Sequence, residues 1–303
     1  MYYILYYFLK LLSLLPLPVL YCISDLIYFI LYYLAGYRKK VVEKNLQIAF
    51  PEKTEIERKK IMKAFYHQFC DAFAEIIKLL SWNKAEIQRR MTGDASTINQ
   101  YAGQTQSIQL VLGHFFNWEL ANLAIAADIK IPFLGVYAPL KNKTMDRLVR
   151  TFRTKCGTIL IPANNFKNQF VQYAKSQYVL GLVADQNPRK LENAWWMNFF
   201  GKPVPIVKGP SKSSIARNTI LVYIDFYKIR RGYYKYELEI ITTSPADYTE
   251  EELARLIIRK IETSVRNRPF NYLWTHRRWK RTWKDEYRAL WIDDAPAPEA
   301  SFT

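Results

Sequence analysis

Cysteine, histidine and acidic side chains are all in short supply in this chain. Three cysteines occur in 303 residues. Cys22, Cys70 and Cys156 are odd in number, scattered and without a Cys-x-x-Cys spacing, so neither a disulfide framework nor a zinc site is indicated, and a reducing compartment fits best. The N-terminus lacks the basic start and small-residue cleavage site of a secretory signal. No internal repeat is visible. Acidic residues number 27 against 44 Lys and Arg, a formal charge of +17, which points to a polyanionic partner: nucleic acid, anionic lipid headgroups or an acidic protein. No helix-turn-helix, zinc or single-strand-binding signature accompanies that charge, which argues against nucleic acid. Half of the residues are hydrophobic, enough for a substantial core in one large domain or two small ones.

The first 37 residues are apolar apart from Lys10, Asp25 and the Pro16/Pro18 pair. A membrane span needs about 20 apolar residues, and the prolines and Asp25 break this run into pieces near that limit. Residues 1–37 therefore read as a retained membrane anchor, either one kinked span or two helices lying partly in the interface. A buried hydrophobic hairpin is the alternative. Tyrosines throughout the segment suit the headgroup level, and "YRKK" (37–40) would stay on the cytoplasmic side. Met62, Phe65, Tyr66, Phe69, Phe73, Ile76, Ile77 and Leu80 then form one apolar helical face within a helical region, 38–105, packed on the core. Polar, turn-rich 91–106 reads as a loop leading into a catalytic domain spanning 106–303.

In that domain strands and helices alternate. "SIQLVLG", "IPFLGVY", "TILIP" and "YVLGLVAD" are apolar strands separated by helices at Trp118–Ala127, Met145–Lys155 and Phe166–Ala174. This pattern predicts an α/β fold with a mostly parallel central sheet flanked by helices. "TILVYIDFYKIR" and "YYKYELEII" predict an antiparallel hairpin at a sheet edge, and a last helix carrying Leu253, Leu256, Ile257, Ile261 and Val265 stops before Pro269.

Ligands of α/β sheets bind at the carboxyl ends of strands. Of the three histidines, His114 stands there, directly after "QLVLG", whereas His67 falls on a predicted helix and His276 in a basic tail. On a regular helix His114 and Glu119 would point about 140° apart. They can share a site only if the histidine lies in the turn before a helix and the glutamate in its first turns. A histidine takes a proton near neutral pH, and a carboxylate on its far nitrogen fixes the tautomer. No serine or cysteine nucleophile elbow adjoins the pair, so the nucleophile is expected to be a substrate hydroxyl or amine. This arrangement suits acyl transfer without a covalent enzyme intermediate; a structural histidine is the alternative.

"GHFFNWEL" (113–120) resembles the His-x4-acid block of the glycerolipid acyltransferase superfamily, and more closely that of the lipid A lauroyl/myristoyl acyltransferase family. Three further blocks match in order: "YRKKVVEKNLQIAFPEK" (37–53), "ADQNPRK" with "WMNFFGKPVP" (184–205), and "RPFNYLWTHRRWKR" (268–281). The resemblance implies transfer of an acyl group from acyl carrier protein, or acyl-CoA, to a hydroxyl of a membrane glycolipid such as a lipid A precursor. It implies no metal or organic cofactor, His114 as general base and Glu119 as its partner. It also implies a place on the cytoplasmic face of the bacterial inner membrane, where the positive charge suits both an anionic membrane surface and an acidic carrier. Two departures stand out. Ala138 in "VYAPLKNK" and Phe270 in "RPFNYLW" replace a basic residue and a glutamate common in the family, which leaves room for a lysophospholipid or aminolipid acceptor. Asp185, Gln186, Arg189, Lys190, Arg153 and Lys141 are further substrate-binding candidates, Arg153 being favoured over Arg147 and Arg150 on the same helix. A non-catalytic membrane-tethered binding protein, for nucleic acid or for acyl carrier protein, is the competing reading from another class.

Overall fold

The computed structural model describes residues 1–299; the last four residues of the expected catalytic domain lie outside the described residues. The apolar N-terminus forms two helices, α1 (Tyr2–Leu14) and α2 (Leu17–Phe29), the latter continued by a wider π-type turn over Ile30–Leu34. Pro16 and Pro18 explain the break: proline ends one helix and is tolerated in the first turn of the next. Next come α3 (Lys39–Ala49) and the long α4 (Glu55–Lys78). The latter begins with a reciprocal Thr54/Glu57 capping box. Helix α5 (Lys84–Arg90), a two-residue strand β1 (Met91–Thr92) and the single turn α6 (Ser96–Asn99) follow, so the stretch expected to be a loop is partly ordered into short elements.

The α/β alternation then appears as β2 (Ile108–Leu112), α7 (Trp118–Asp128), β3 (Phe133–Tyr137), α8 (Lys143–Arg153), β4 (Ile159–Pro162), α9 (Phe166–Phe170) and β5 (Val179–Val183). A two-stranded hairpin, β6 (Ala194–Phe199) and β7 (Lys202–Val207), leads into α10 (Gly209–Ala216). The hairpin β8 (Ile220–Arg230) and β9 (Tyr233–Thr242) and helix α11 (Glu250–Asn267) complete the regular structure. Strand order in the main sheet is β1-β9-β8-β2-β5-β3-β4, parallel except for the β8–β9 pair. The fold class is the expected one.

Two details differ from the sequence expectation. Helix α9 stops at Phe170 rather than Ala174. The β6–β7 hairpin and α10 were not anticipated. The basic segment 276–284 has no regular structure, and Arg278 within it is buried. One core joins the N-terminal helices to the sheet: Val42, Leu46, Phe65 and Tyr66 share it with Ile108, Val111, Phe116, Ile224 and Trp274. Sequence distance is therefore no guide to spatial distance around the carboxyl edge of β2, where segments from four parts of the chain meet.

Candidate active site

Strands β2 and β5 are parallel neighbours with Leu112 opposite Val183. The pairing extends one step further, Ala184 N–H donating to Leu112 C=O at 2.9 Å. Two residues past each strand, His114 and Asp185 must therefore emerge side by side. His114 Nδ1 lies 2.6 Å from Asp185 Oδ1, and the His114 backbone N–H donates to Asp185 Oδ2 at 3.1 Å. Between strand and histidine, Gly113 has no room for a side chain: a Cβ there would fall 2.9 Å from the Phe115 ring and 3.1 Å from Ile261 Cγ2.

Asp185 is 2% exposed. Burial by itself would push its carboxyl up, but the charge of His114 and the hydrogen bonds from its ring and backbone outweigh that and hold Asp185 well below the usual carboxylate range. An ionised carboxylate can only accept, so Nδ1 carries a proton where it meets Asp185, and in the neutral form of the ring the lone pair falls on Nε2. Gln186 Nε2 donates to that lone pair at 2.8 Å. With the histidine side chain 21% exposed, the basic nitrogen faces outward and the oriented nitrogen inward. A neutral histidine so held can take up a proton at Nε2 while the carboxylate fixes its ring.

The acid differs from the one the spacing suggested. His114 does lie in the turn before α7, and Glu119 does fall in the first turn of α7, as the geometric condition required. Glu119 does not reach the imidazole, however. Its carboxylate receives both arms of Arg153, at 2.8 and 2.5 Å, together with the indole N–H of Trp118 at 2.9 Å. Arg153 in turn, expected to face a substrate phosphate, has its fork filled by Glu119. The end of α8 is fixed to α7 as well, because Asn122 Nδ2 donates to Arg153 C=O at 2.9 Å. The Trp118 indole sits edge-on to the His114 ring at 6.1 Å, so the Glu119/Arg153 pair borders the site without touching its base.

Behind the histidine stands a wall built from the C-terminal block. Phe116 N–H donates to Asn271 C=O and Leu273 N–H to His114 C=O, at 3.0 and 3.1 Å. Asn271 is itself held by Gln68 Nε2 at 2.8 Å. Asn45 Nδ2 donates to the carbonyls of Trp274 and His276, and Arg38 to that of Thr275. Asn187 and the buried Arg278 close the ring: Arg278 donates to Asn187 Oδ1 at 2.8 Å and to Pro205 C=O at 2.9 Å. The four sequence blocks singled out above thus meet around one loop, which gives a physical reason for their co-occurrence.

Below the loop, fully buried Glu75 collects three donors: Tyr21 OH at 2.9 Å, Asn117 Nδ2 at 3.1 Å and Tyr234 OH at 2.7 Å. Asn117 caps α7, its side chain accepting from Leu120 N–H, so Glu75 steadies the helix that carries Glu119. Sequence reading missed this set, although asparagine directly before an apolar helix is itself a capping signal. Burial pushes the Glu75 carboxyl up despite its three donors. Glu75→Ala strands three buried polar groups, and a loss on the order of 3–5 kcal/mol is expected by urea unfolding; Glu75→Gln should cost much less.

His276, on the same wall, is lowered from 6.5 to about 4 by burial, with Nε2 buried and unpartnered. The folded state then resists a proton that the unfolded chain accepts, so stability falls as pH drops from 6.5 toward 4 and levels off below. Comparing wild type with His276→Asn over that range should reveal a pH-dependent difference on the order of 3 kcal/mol, absent at pH 8.

The remaining expected residues are dispersed. Arg189 and Lys190 are exposed after β5, Lys190 lying 3.7 Å from Glu192, and Lys141 is exposed between β3 and α8. Among the described residues no hydrogen bond or ion pair joins these three to His114. Ala138 is exposed at the carboxyl end of β3, on the same sheet edge as His114. Of the aromatics in the blocks around the site, Phe115, Phe116, Trp196, Phe199 and Phe200 are core; Trp118 and Trp195 are half-buried. A surface cavity of about 560 Å³ lies along α8, lined by Lys143, Asp146, Arg147, Arg150, Thr151 and Thr154. Asp25, His67 and Asp71 form a cluster with metal-ligand spacing, but Arg231 already donates to both carboxylates.

A histidine held by a buried aspartate at the carboxyl edge of a parallel sheet is suited to take up a proton, and among the described residues no serine or cysteine side chain hydrogen-bonds to it. The comparisons narrow the class. The family model described as bacterial lipid A biosynthesis acyltransferase matches residues 1–281, and the chain belongs to that family of acyltransferases. Among its relatives, the lipid A biosynthesis palmitoleoyltransferase of Escherichia coli K12 is 22% identical over 245 residues, covering 80% of this chain and 79% of its own. The lipid A biosynthesis lauroyltransferase of the same organism is 24% identical over 249 residues, with 80% and 79% covered. A lipid A biosynthesis acyltransferase of Haemophilus influenzae is 22% identical over 233 residues, with 76% and 72% covered.

Proposed function

We propose that this chain moves a fatty acyl group from a thioester, on acyl carrier protein or CoA, to a hydroxyl of a lipid A precursor at the cytoplasmic face of the bacterial inner membrane. The observation that carries the reading is the His114 ring set between Asp185 on Nδ1 and Gln186 on the outward-facing Nε2, a placement that in the neutral ring leaves the lone pair on the outward nitrogen. The acceptor hydroxyl displaces Gln186 and gives its proton to Nε2 as its oxygen bonds to the thioester carbonyl carbon. Collapse of the tetrahedral intermediate expels the thiolate, which takes the proton back from the imidazolium. Asp185 stabilises the imidazolium between those steps.

Glu119 enters as a positioning residue, its ion pair with Arg153 holding α8 against the start of α7 beside the His114 loop. Glu119→Gln should therefore cost roughly 10-fold to 100-fold in kcat/KM, the scale of a misplaced charged group, while the pH profile set by His114 keeps its shape. Arg189, Lys190 and Lys141 are proposed to meet phosphates of lipid or carrier. The exposed Ala138 favours a second acceptor class, a lysophospholipid or aminolipid, since it removes a cation at the same sheet edge. The test is product mass spectrometry after incubating the protein with acyl carrier protein thioesters and a total membrane lipid extract, beside His114→Ala. One added acyl chain on a single lipid class, absent with the variant, supports the reading and names the acceptor. An unacylated extract would overturn it.

A further inference from the structure

Helix α2 with its π turn has the length and apolarity to cross a membrane, Leu17–Leu34, with 22% of it buried. Its two faces differ sharply. The outer face presents Val19, Ile23, Leu26, Ile27, Ile30 and Leu34 to solvent. The inner face carries polar groups tied to the body of the protein along its whole length. Tyr21 donates to Glu75, and Ser24 to Asp71 at 2.9 Å. Asp25 accepts from Arg231 and lies 3.0 Å from His67 Nε2, and Tyr28 packs on the His67 ring. Tyr32 stacks edge-on against Tyr66. As numbers rise along α2 they fall along α4, so the two helices run antiparallel side by side.

A spanning α2 would place Asp25 near the bilayer midplane. It would also draw in the part of α4 that runs beside it, including Asp71, and with it Arg231, which donates to both Asp25 and Asp71. Each charge at that depth costs about 3 kcal/mol or more. The turn between α1 and α2 is anchored too, Lys78 Nζ donating to Ser13 C=O and Leu15 C=O at 2.8 and 2.9 Å. Helix α1 exposes Ile4, Tyr7, Phe8 and Leu11 and is fixed to α8, where Arg147 lies 4.1 Å over the Tyr2 ring.

We propose that α1 and α2 lie flat in one leaflet of an anionic bilayer and that the chain does not cross it. The occupant of the apolar face is the acyl-chain layer of that leaflet. Its charge complement is at hand: Arg147 beside α1, Lys39 over the Tyr32 ring at 4.3 Å, and Arg230, one residue beyond the exposed Ile229, at the tip of the β8–β9 hairpin that packs on α2. An apolar face rimmed by cations is the composition of an in-plane membrane helix. The inference rests on the membrane location proposed above but not on the reaction assigned to His114.

The test uses the full chain, with its native cysteines replaced and single nitroxide labels at Ile4, Leu11, Ile23, Leu26, Ile30 and Leu34, on vesicles of phosphatidylethanolamine and phosphatidylglycerol. An in-plane pair gives one shallow immersion depth for all six labels, with every label reached from the side to which the protein was added. A depth that passes through the midplane between Leu17 and Leu34, with labels at the two ends reached from opposite sides, would overturn the proposal while leaving membrane location intact. Failure to bind vesicles would overturn both. Arg147→Glu and Arg230→Glu should each weaken partitioning at least about fivefold on anionic vesicles and leave it unchanged on neutral ones.

Discussion

His114→Ala is expected to lower kcat by about 10²–10⁴-fold, the range contributed by a positioned general base, and to cost some stability, because buried Asp185 loses the ring and keeps the backbone N–H of residue 114. The side chain is partly exposed, and its Nε2 is the proton acceptor of the proposed reaction. The measurement is acyl transfer to the acceptor identified by mass spectrometry, with circular dichroism confirming the fold. Binding of the acyl donor should persist, because Nε2 meets the acceptor rather than the thioester chain. An unchanged kcat would remove His114 from the mechanism.

Asp185→Asn is the sharper experiment. The amide keeps the size of the carboxylate but offers a donor as well as an acceptor, so the Asp185–His114 contact no longer dictates that Nδ1 carry the proton. If the ring flips tautomer, Nε2 becomes protonated and cannot accept from a hydroxyl. A kcat loss approaching 10⁴-fold is expected, comparable to the corresponding change in a catalytic triad, and the double variant with His114→Ala should be little worse than either alone, as for residues that act as a unit. Glu119→Gln separates the two carboxylates. If Glu119 were the acid on the imidazole it would match Asp185→Asn and alter the pH profile; held by Arg153, it should do neither.

Why the nearer carboxylate was expected and the farther one found is a matter of what sequence encodes locally. Apolar runs such as "QLVLG" and "YVLGLVAD" mark strands, and the helices between them dictate a parallel sheet; both were legible. That His114 and Asp185 each leave the carboxyl edge was legible as well. The register pairing Leu112 with Val183 was not, because it depends on which strands become neighbours, and β5 reaches β2 only after β3 and β4 have been laid down on its far side. Glu119 was attractive for being five residues away, but Arg153, one α/β unit later, competes for it with two charge-assisted hydrogen bonds. The β6–β7 hairpin was hidden by Pro203 and Pro205, residues that argue against a strand except at an edge. Helix α10 was hidden by its Gly-Pro start and serine-rich composition.

The underside of α2 bears on how the protein can be handled. Cutting away residues 1–34 to obtain a soluble fragment would remove the Tyr21 hydroxyl from Glu75, Ser24 from Asp71 and Asp25 from Arg231. Glu75 would keep only Asn117 and Tyr234, and the asparagine that starts α7 would lean on a carboxylate newly open to water. The N-terminus is thus a keel rather than a mooring line: the hull loses its shape when it is sawn off. Detergent or lipid should be supplied to the whole chain, since a fragment freed of its apolar helices would be easier to dissolve and worse folded at the loop that carries His114.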